Sequence, residues 1–280
     1  MSARNIAVIT GTTHGIGRVT SRELARAGYS VVMLCRNLPA AARLRAELCA
    51  LLPQSDVHVV HCDLASLSSV RACAAAVRRD FGRIALLINN AGIVSSLRRR
   101  SPDGFELCFA TNHLGPFLLT RLLLDHLSAA ARIINVASWI HVRGRLDLQS
   151  IDVRRAPYSP TQAYAQSKLA NVMFTFALAR RLEGQDITVN CLHPGVVATN
   201  LLPRWLRALY RLTGRAMMDA ERGARTSLYL ALAPEVAGMS GRYFNEQQRE
   251  RAASALARDL EQQELLWEAS ERWTALPPRP

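Results

Sequence analysis

Apolar positions along the chain fall into two alternating textures. Short runs rich in Val, Ile and Leu occupy residues 6–10, 30–35, 57–61, 84–88, 133–138 and 187–192. Longer stretches between them repeat their apolar residues three and four apart, as one face of a helix does. These stretches run from the glycines at 15 and 17 to Gly28, from 39 to 52, up to Phe81, from 105 to 127, from 162 to 182 and from 220 to 233. Strand and helix in regular alternation predict parallel βαβ units in one α/β domain, with a short last strand at 241–245. Pro116 is expected to kink the 105–127 helix just after Gly115. Residues 249–273 predict a charged terminal helix, and 276–280 a frayed tail.

The first strand runs directly into Gly11-Thr12-Thr13-His14-Gly15-Ile16-Gly17 and then a helix. That arrangement presents backbone N–H groups and a helix N-terminus to a pyrophosphate, and glycine lets the chain turn tightly beneath it. Where the second strand ends, an NAD site would usually carry Asp or Glu for the ribose 2′-hydroxyl. Here stand Cys35 and Arg36. Arg36, aided by Arg18 and His14, could pair with a 2′-phosphate, which favours NADP(H) over NAD. Asp63, beside Leu64 at the end of the third strand, could cap the next helix or hold an adenine amino group, two readings the sequence leaves even.

Of 35 basic residues, 34 are arginine and the remaining one is Lys168. It lies four residues after Tyr164, so phenol and ammonium share a helix face. A nearby ammonium favours phenolate and lowers a tyrosine pKa from about 10, which suits proton exchange with a substrate oxygen. Asn112 is polar in an apolar helix and needs partners if buried. Ser138 ends the fifth strand, on the side where this architecture collects its chemistry.

A net charge of +13 would permit nucleic acid, anionic membrane or an acidic partner. The arginines are nevertheless spread along the whole chain with no nucleic-acid-binding signature, so no nucleic acid partner is expected. The 6 cysteines lack paired spacing and read as reduced residues of a cytoplasmic protein. No signal peptide, transmembrane span or metal site is expected, since His58 and His61 fall on opposite faces of a strand.

Together, Thr10-Gly11-x3-Gly15-Ile16-Gly17, Asn89-Asn90-Ala91-Gly92, Asn112, Ser138, Tyr164-x3-Lys168 and His193-Pro194-Gly195 resemble, in order, the motifs of the short-chain dehydrogenase/reductase family. The resemblance spans about residues 5–245. Leu34-Cys35-Arg36-Asn37, the long 138–164 segment and Tyr164-Ala-Gln-Ser-Lys-Leu-Ala-Asn171 are most similar to its retinol dehydrogenase and WW-domain oxidoreductase branch.

This resemblance implies a single Rossmann-type domain over residues 1–280, with a doubly wound parallel sheet of about seven strands in order 3-2-1-4-5-6-7. It implies Tyr164 as general acid or base, Ser138 orienting the substrate oxygen and Lys168 tuning Tyr164 while holding the nicotinamide ribose. Asn112 would fix a water that links Lys168 to solvent. Asn90, Ala91, Gly92, Pro194, Gly195, Val197 and Thr199 join the glycine turn as cofactor residues, with Thr199 on the carboxamide. A helical lid is implied at about 200–218; its Leu- and Trp-rich face suggests a small lipophilic substrate, and its arginines offer a contact for a membrane surface or a carrier protein. The family also implies self-association through the helices around Asn112 and Tyr164. Alternatives to a reductase of retinal-like aldehydes or ketones are a biosynthetic ketoreductase on a carrier-bound ketone and a non-catalytic NADP-binding regulator.

Overall fold

A computed structural model describes residues 4–149, 151, 158–197 and 218–277. The apolar runs form β1 (Ile6–Thr10), β2 (Ser30–Cys35), β3 (Asp56–His61), β4 (Ile84–Asn89), β5 (Leu127–Val136), β6 (Ile187–Leu192) and β7 (Arg242–Phe244). All pair in parallel, in one sheet ordered β3-β2-β1-β4-β5-β6-β7 as the sequence predicts. Successive strand residues serve opposite layers. Val8, Val32, Leu87 and Ile133 pack into one core, and Ala7, Ile9, Val31, Met33, Leu86 and Ile88 into the other. A sheet covered on both faces needs near-continuous apolar strands, which these are. Strand order reverses between β1 and β4, and their carboxyl ends open the crevice where this architecture binds its ligands.

The helices are α1 (Gly15–Arg26), α2 (Leu38–Leu51), α3 (Leu67–Asp80), α4 (the helical stretch Leu107–His126), α5 (Pro160–Arg181), α6 (Ala220–Leu232) and α7 (Leu260–Trp273). Side-chain caps fix several starts: Asn37 accepts from Ala40 N, Ser159 from Gln162 N and Asp219 from Arg222 N. Among the described residues, α4 is the one helix long and apolar enough to cross a membrane, yet 89% of its apolar window is buried, as in a core helix.

Three expectations are corrected. The irregularity in α4 is a π-helical turn, Ala110–Leu114, placed before Pro116 rather than a kink at it. Proline begins the following α-helical segment, Gly115–Leu123, where its missing N–H and its ring are accommodated by the widened turn. Asp63 does not cap α3; Ser66 does, accepting from Ser69 N, while Asp63 Oδ1 accepts from Ala65 N. The terminal helix is broken. Glu250 pairs with Phe244 in an isolated bridge, a short turn spans Ala255–Arg258, and α7 follows, because Ser254 and Asp259 each turn a side chain back onto a backbone N–H.

α7 lies across α4 and α5. Trp267 contacts Phe117 and Phe174 at ring-centroid distances of 5.1 and 6.0 Å, with Arg181 4.0 Å above its ring. Arg121 and Glu271 form a buried ion pair, and His113 Nε2 meets Ser270 Oγ at 2.9 Å. α7 thus packs against both helices through which the family resemblance implies self-association. The lid at about 200–218 and Thr199 lie outside the described residues, apart from Met218.

Candidate active site

Strands β1 and β4 are stitched together at their carboxyl ends. Thr10 Oγ1 accepts from Asn90 N and Ala91 N, both at 3.0 Å, and Asn90 Nδ2 donates to Thr10 O and Gly11 O at 2.9 and 3.0 Å. Two glycines are obligatory in this closure. A Cβ on Gly11, whose φ is +70°, would lie 2.8 Å from Ala91 Cα, and one on Gly17 would lie 2.2 Å from Gly11 O. The N-terminus of α1 then faces the crevice without an acidic first turn and without a side-chain cap, for His14 bonds Thr13 Oγ1 instead. Its unpaired N–H groups fit a pyrophosphate. Ile16 serves the fold behind them, packed with Val19, Val197 and Ala224.

The residues chosen for the cofactor's far end separate. Arg36 is exposed and forms no ion pair with a described residue, which leaves its guanidinium free for an anion. Arg18 is not free in the same way: its guanidinium pairs with Glu47 at 2.5 Å. Leu64 is buried, and its carbonyl lies where a side chain on Gly115 would have to go. Nearer the centre, a Cβ on Gly92 would come within 3.3 Å of Lys168 Nζ and 3.5 Å of Asn112 Oδ1, so glycine keeps that floor open. The residues present therefore fit a dinucleotide, with the glycine turn under its phosphates and Arg36 at its ribose end.

Lys168, Tyr164, Ser138 and Asn112 converge at the carboxyl ends of β4 and β5. Ser138 lies near enough to the Tyr164 phenol to favour its ionised form, and Lys168 Nζ lies 5.7 Å from the Tyr164 ring centroid. The direction found for the tyrosine is opposite to the one a neighbouring ammonium alone would give. Burial, reinforced by Cys108 and only partly opposed by Ser138, holds the Tyr164 phenol above its usual range. Burial likewise lowers the Lys168 ammonium to about 8. That ammonium donates to Val136 O at 2.8 Å rather than to the phenol.

Asn112 is wholly buried and its amide clasps a loop. Oδ1 accepts from Ile93 N at 2.8 Å, while Nδ2 donates to Ile93 O at 3.0 Å, Ser167 Oγ at 2.9 Å and Cys108 Sγ at 3.2 Å. The π turn is what carries its side chain to this loop. Ser167 in turn donates to Tyr164 O at 2.8 Å, which joins Asn112 to the turn of α5 that bears the tyrosine. Ser167 stands inside the Tyr164–Asn171 run, where only its burial and its bonds to Asn112 and Tyr164 distinguish it from a spacer. Cys108 carries no sequence signal at all. Beyond β6, Gly195 has φ +81° and its N–H reaches His193 Nδ1 at 3.3 Å, while His193 Nε2 meets Glu246 Oε2 at 3.1 Å. Pro194 and Gly195 thus border the crevice from the β6 side, and Val197 pairs with Met218 beyond them.

A family model described as short chain dehydrogenase matches residues 5–208. The chain belongs to this family. The short-chain dehydrogenase is 42% identical to mouse retinol dehydrogenase 14, over 94% of this chain and 84% of the relative. It is 43% identical to bovine dehydrogenase/reductase SDR family member 13, over 97% of this chain and 74% of that one. Among solved structures, an uncharacterised protein from Mycobacterium paratuberculosis shares 35% identity with a TM-score of 0.79, covering 99% of this chain and 96% of that one. A Burkholderia cenocepacia short chain dehydrogenase in complex with NADP shares 25% identity with a TM-score of 0.71, covering 86% and 95%.

Proposed function

We propose that this short-chain dehydrogenase interconverts an alcohol and a carbonyl with NADP(H), on a lipophilic substrate such as a retinal-like aldehyde or a ketone. The observation that carries the reading is Tyr164 beside both Ser138 and the buried Lys168, at the strand ends where Gly92 leaves room. Retinol dehydrogenases among its relatives support the substrate class, and a relative solved with NADP, together with Arg36, which has no ion pair among the described residues, supports the cofactor. The free cysteines suit the reducing cytoplasm, where we place it.

Ser138 receives or donates a hydrogen bond at the substrate oxygen and aims it at Tyr164. Burial keeps the Tyr164 phenol protonated at neutral pH, which is the form a reduction consumes when the phenol gives its proton to that oxygen. Lys168 stabilises the phenolate left behind, and Asn112, through Ile93 and Ser167, fixes the loop and helix that face each other across the site. In the family the nicotinamide, when bound, supplies the hydride to the carbonyl carbon or accepts it in the reverse direction.

The test is oxidation of NADPH and NADH against a panel of aldehydes and ketones that includes retinal, with Tyr164→Phe beside wild type. Turnover that prefers NADPH and falls by about 10²–10⁴ in the variant is expected. Arg36→Asp should reverse the cofactor preference; an unchanged preference would remove the 2′-phosphate role. Tight NADPH binding with no turnover across the panel would favour a sensing protein instead.

A further inference from the structure

His141 lies three residues past Ser138, inside the 3-10 turn Trp139–Arg143. It is 1% exposed, and both of its ring nitrogens are engaged. Nδ1 lies 2.9 Å from Ser138 O and Nε2 lies 3.2 Å from Ser254 N. A carbonyl oxygen accepts only, so Nδ1 carries a hydrogen; a backbone N–H donates only, so Nε2 must offer its lone pair. These two partners admit a single state, the neutral ring with its proton on Nδ1.

The ring also sits edge-on to Tyr243 of β7, at 4.8 Å between centroids. On its other contact Tyr243 meets His193, at 5.8 Å, in the segment that borders the crevice from β6. The Ser254 hydroxyl caps Ala257 at the start of the Ala255–Arg258 turn. His141 thus ties three pieces together: the turn after β5, the wall made by β7, and the chain leading to α7.

We infer that His141 is a positioning residue for the proposed reaction: it donates to the Ser138 carbonyl and anchors that turn to Ser254, so that the Ser138 hydroxyl stays aimed at Tyr164. The inference rests on the assignment of Ser138 and Tyr164 above. Ser138 has extended backbone, φ −158° and ψ 152°, and its own Oγ already accepts weakly from Ile140 N at 3.4 Å. Without the imidazole, one backbone bond from His141 N at 3.1 Å would remain to hold the carbonyl. The hydroxyl would then share its time between Ile140 and the site. A small misplacement of a catalytic group lowers the rate of the chemical step more than it lowers binding.

Two replacements separate the two ring contacts. His141→Asn places an amide N–H near the Nδ1 position and keeps the Ser138 bond, whereas His141→Gln reaches towards Ser254 with an acceptor and leaves the Ser138 carbonyl short of a donor. His141→Gln is expected to lower kcat about tenfold or more with the KM for NADPH unchanged, and His141→Asn to restore most of it. Equal kcat in both variants, or a change confined to KM, would overturn the inference. Tyr164→Phe runs in the same assay: if it keeps wild-type turnover, the underlying reaction assignment fails, whatever His141 does. Nitrogen-15 NMR of the wild type at pH 7 reads the ring directly, independent of any variant's folding. A His141 signal of the Nδ1–H neutral form is expected, and an Nε2–H or charged ring would sink the proposal.

Discussion

Two buried cations stand on neighbouring helices and are held in opposite ways. Arg121 of α4, 5% exposed, faces the Glu271 carboxylate, donates to Pro277 O and lies over the rings of Trp267 and Phe117. Lys168 of α5, 3% exposed, meets no carboxylate among the described residues. Its described hydrogen-bond partner is a carbonyl, Val136 O. A buried charge with a counter-ion can serve architecture; one held by dipoles alone works against the fold and is kept where chemistry uses it. The lowering of Lys168 to about 8 is the physical sign of that cost, because burial disfavours its charged form.

The sharpest way to break this contrast is Lys168→Met. Turnover is expected to fall by about 10²–10⁴, as for loss of a proton-transfer group. The cofactor-free variant should nonetheless melt higher than wild type, because an apolar chain of similar length no longer brings a charge into the interior. A lower melting temperature would make Lys168 a structural residue. The pH dependence follows with a definite sign. The folded-state value, about 8, lies below the ordinary 10.5, so the unfolded chain binds the extra proton between them and wild-type stability rises with pH across that window. Carbonyl reduction should fall over the same rise, as the ammonium beside Tyr164 loses its charge.

Glu271→Gln tests the other cation. Leaving Arg121 buried without its partner should lower stability by about 3–5 kcal/mol in denaturant titrations, while NADPH affinity stays near wild type. The double change Arg121→Met with Glu271→Leu should recover most of the loss, since well-packed apolar groups can replace a buried pair. If the single and double variants were equally unstable, packing rather than charge would hold α7. Light scattering at micromolar concentration tests the self-association that the family resemblance implies: a species larger than one chain is expected, and single chains would remove that expectation.

These two regions also differ in how far the sequence announces them. The sheet was legible because buried parallel strands must be continuously apolar, and the site because Tyr164, Lys168 and the glycine turn carry spacing that chemistry dictates. Nothing local announced Arg121 and Glu271, 150 residues apart in a chain rich in arginine. The break of the 249–273 helix was hidden in Ser254 and Asp259, ordinary polar residues until their side chains turn onto the backbone. The π turn escaped for a related reason: Pro116 signals a disturbance in a helix, but which turn widens depends on where Asn112 finds Ile93. Nothing in the sequence singles out His141 or Ser167, because a histidine's task depends on which partners meet its two nitrogens.

The smallest expected effect uses acid to act on the α7 contacts. His113 on α4 is buried against Ser270, and burial lowers it from 6.5 to about 3. His141 and His193 are lowered too, by burial first. A depressed histidine contributes stability that is fully present above about 6.5, its unfolded value, and is lost progressively as pH falls towards its folded value. Each such ring adds a slope of at most about 1.4 kcal/mol per pH unit below that point. The paired carboxylates Glu264 and Glu23 are also depressed, but their contribution is lost only below their usual 4.5. Urea midpoints at pH 7, 6 and 5 should therefore fall chiefly through the histidines, and His113→Asn should flatten the decline. An unchanged slope in that variant would place the acid sensitivity with His141 and His193 near the site, and the α7 contacts would then be the acid-resistant region of the two.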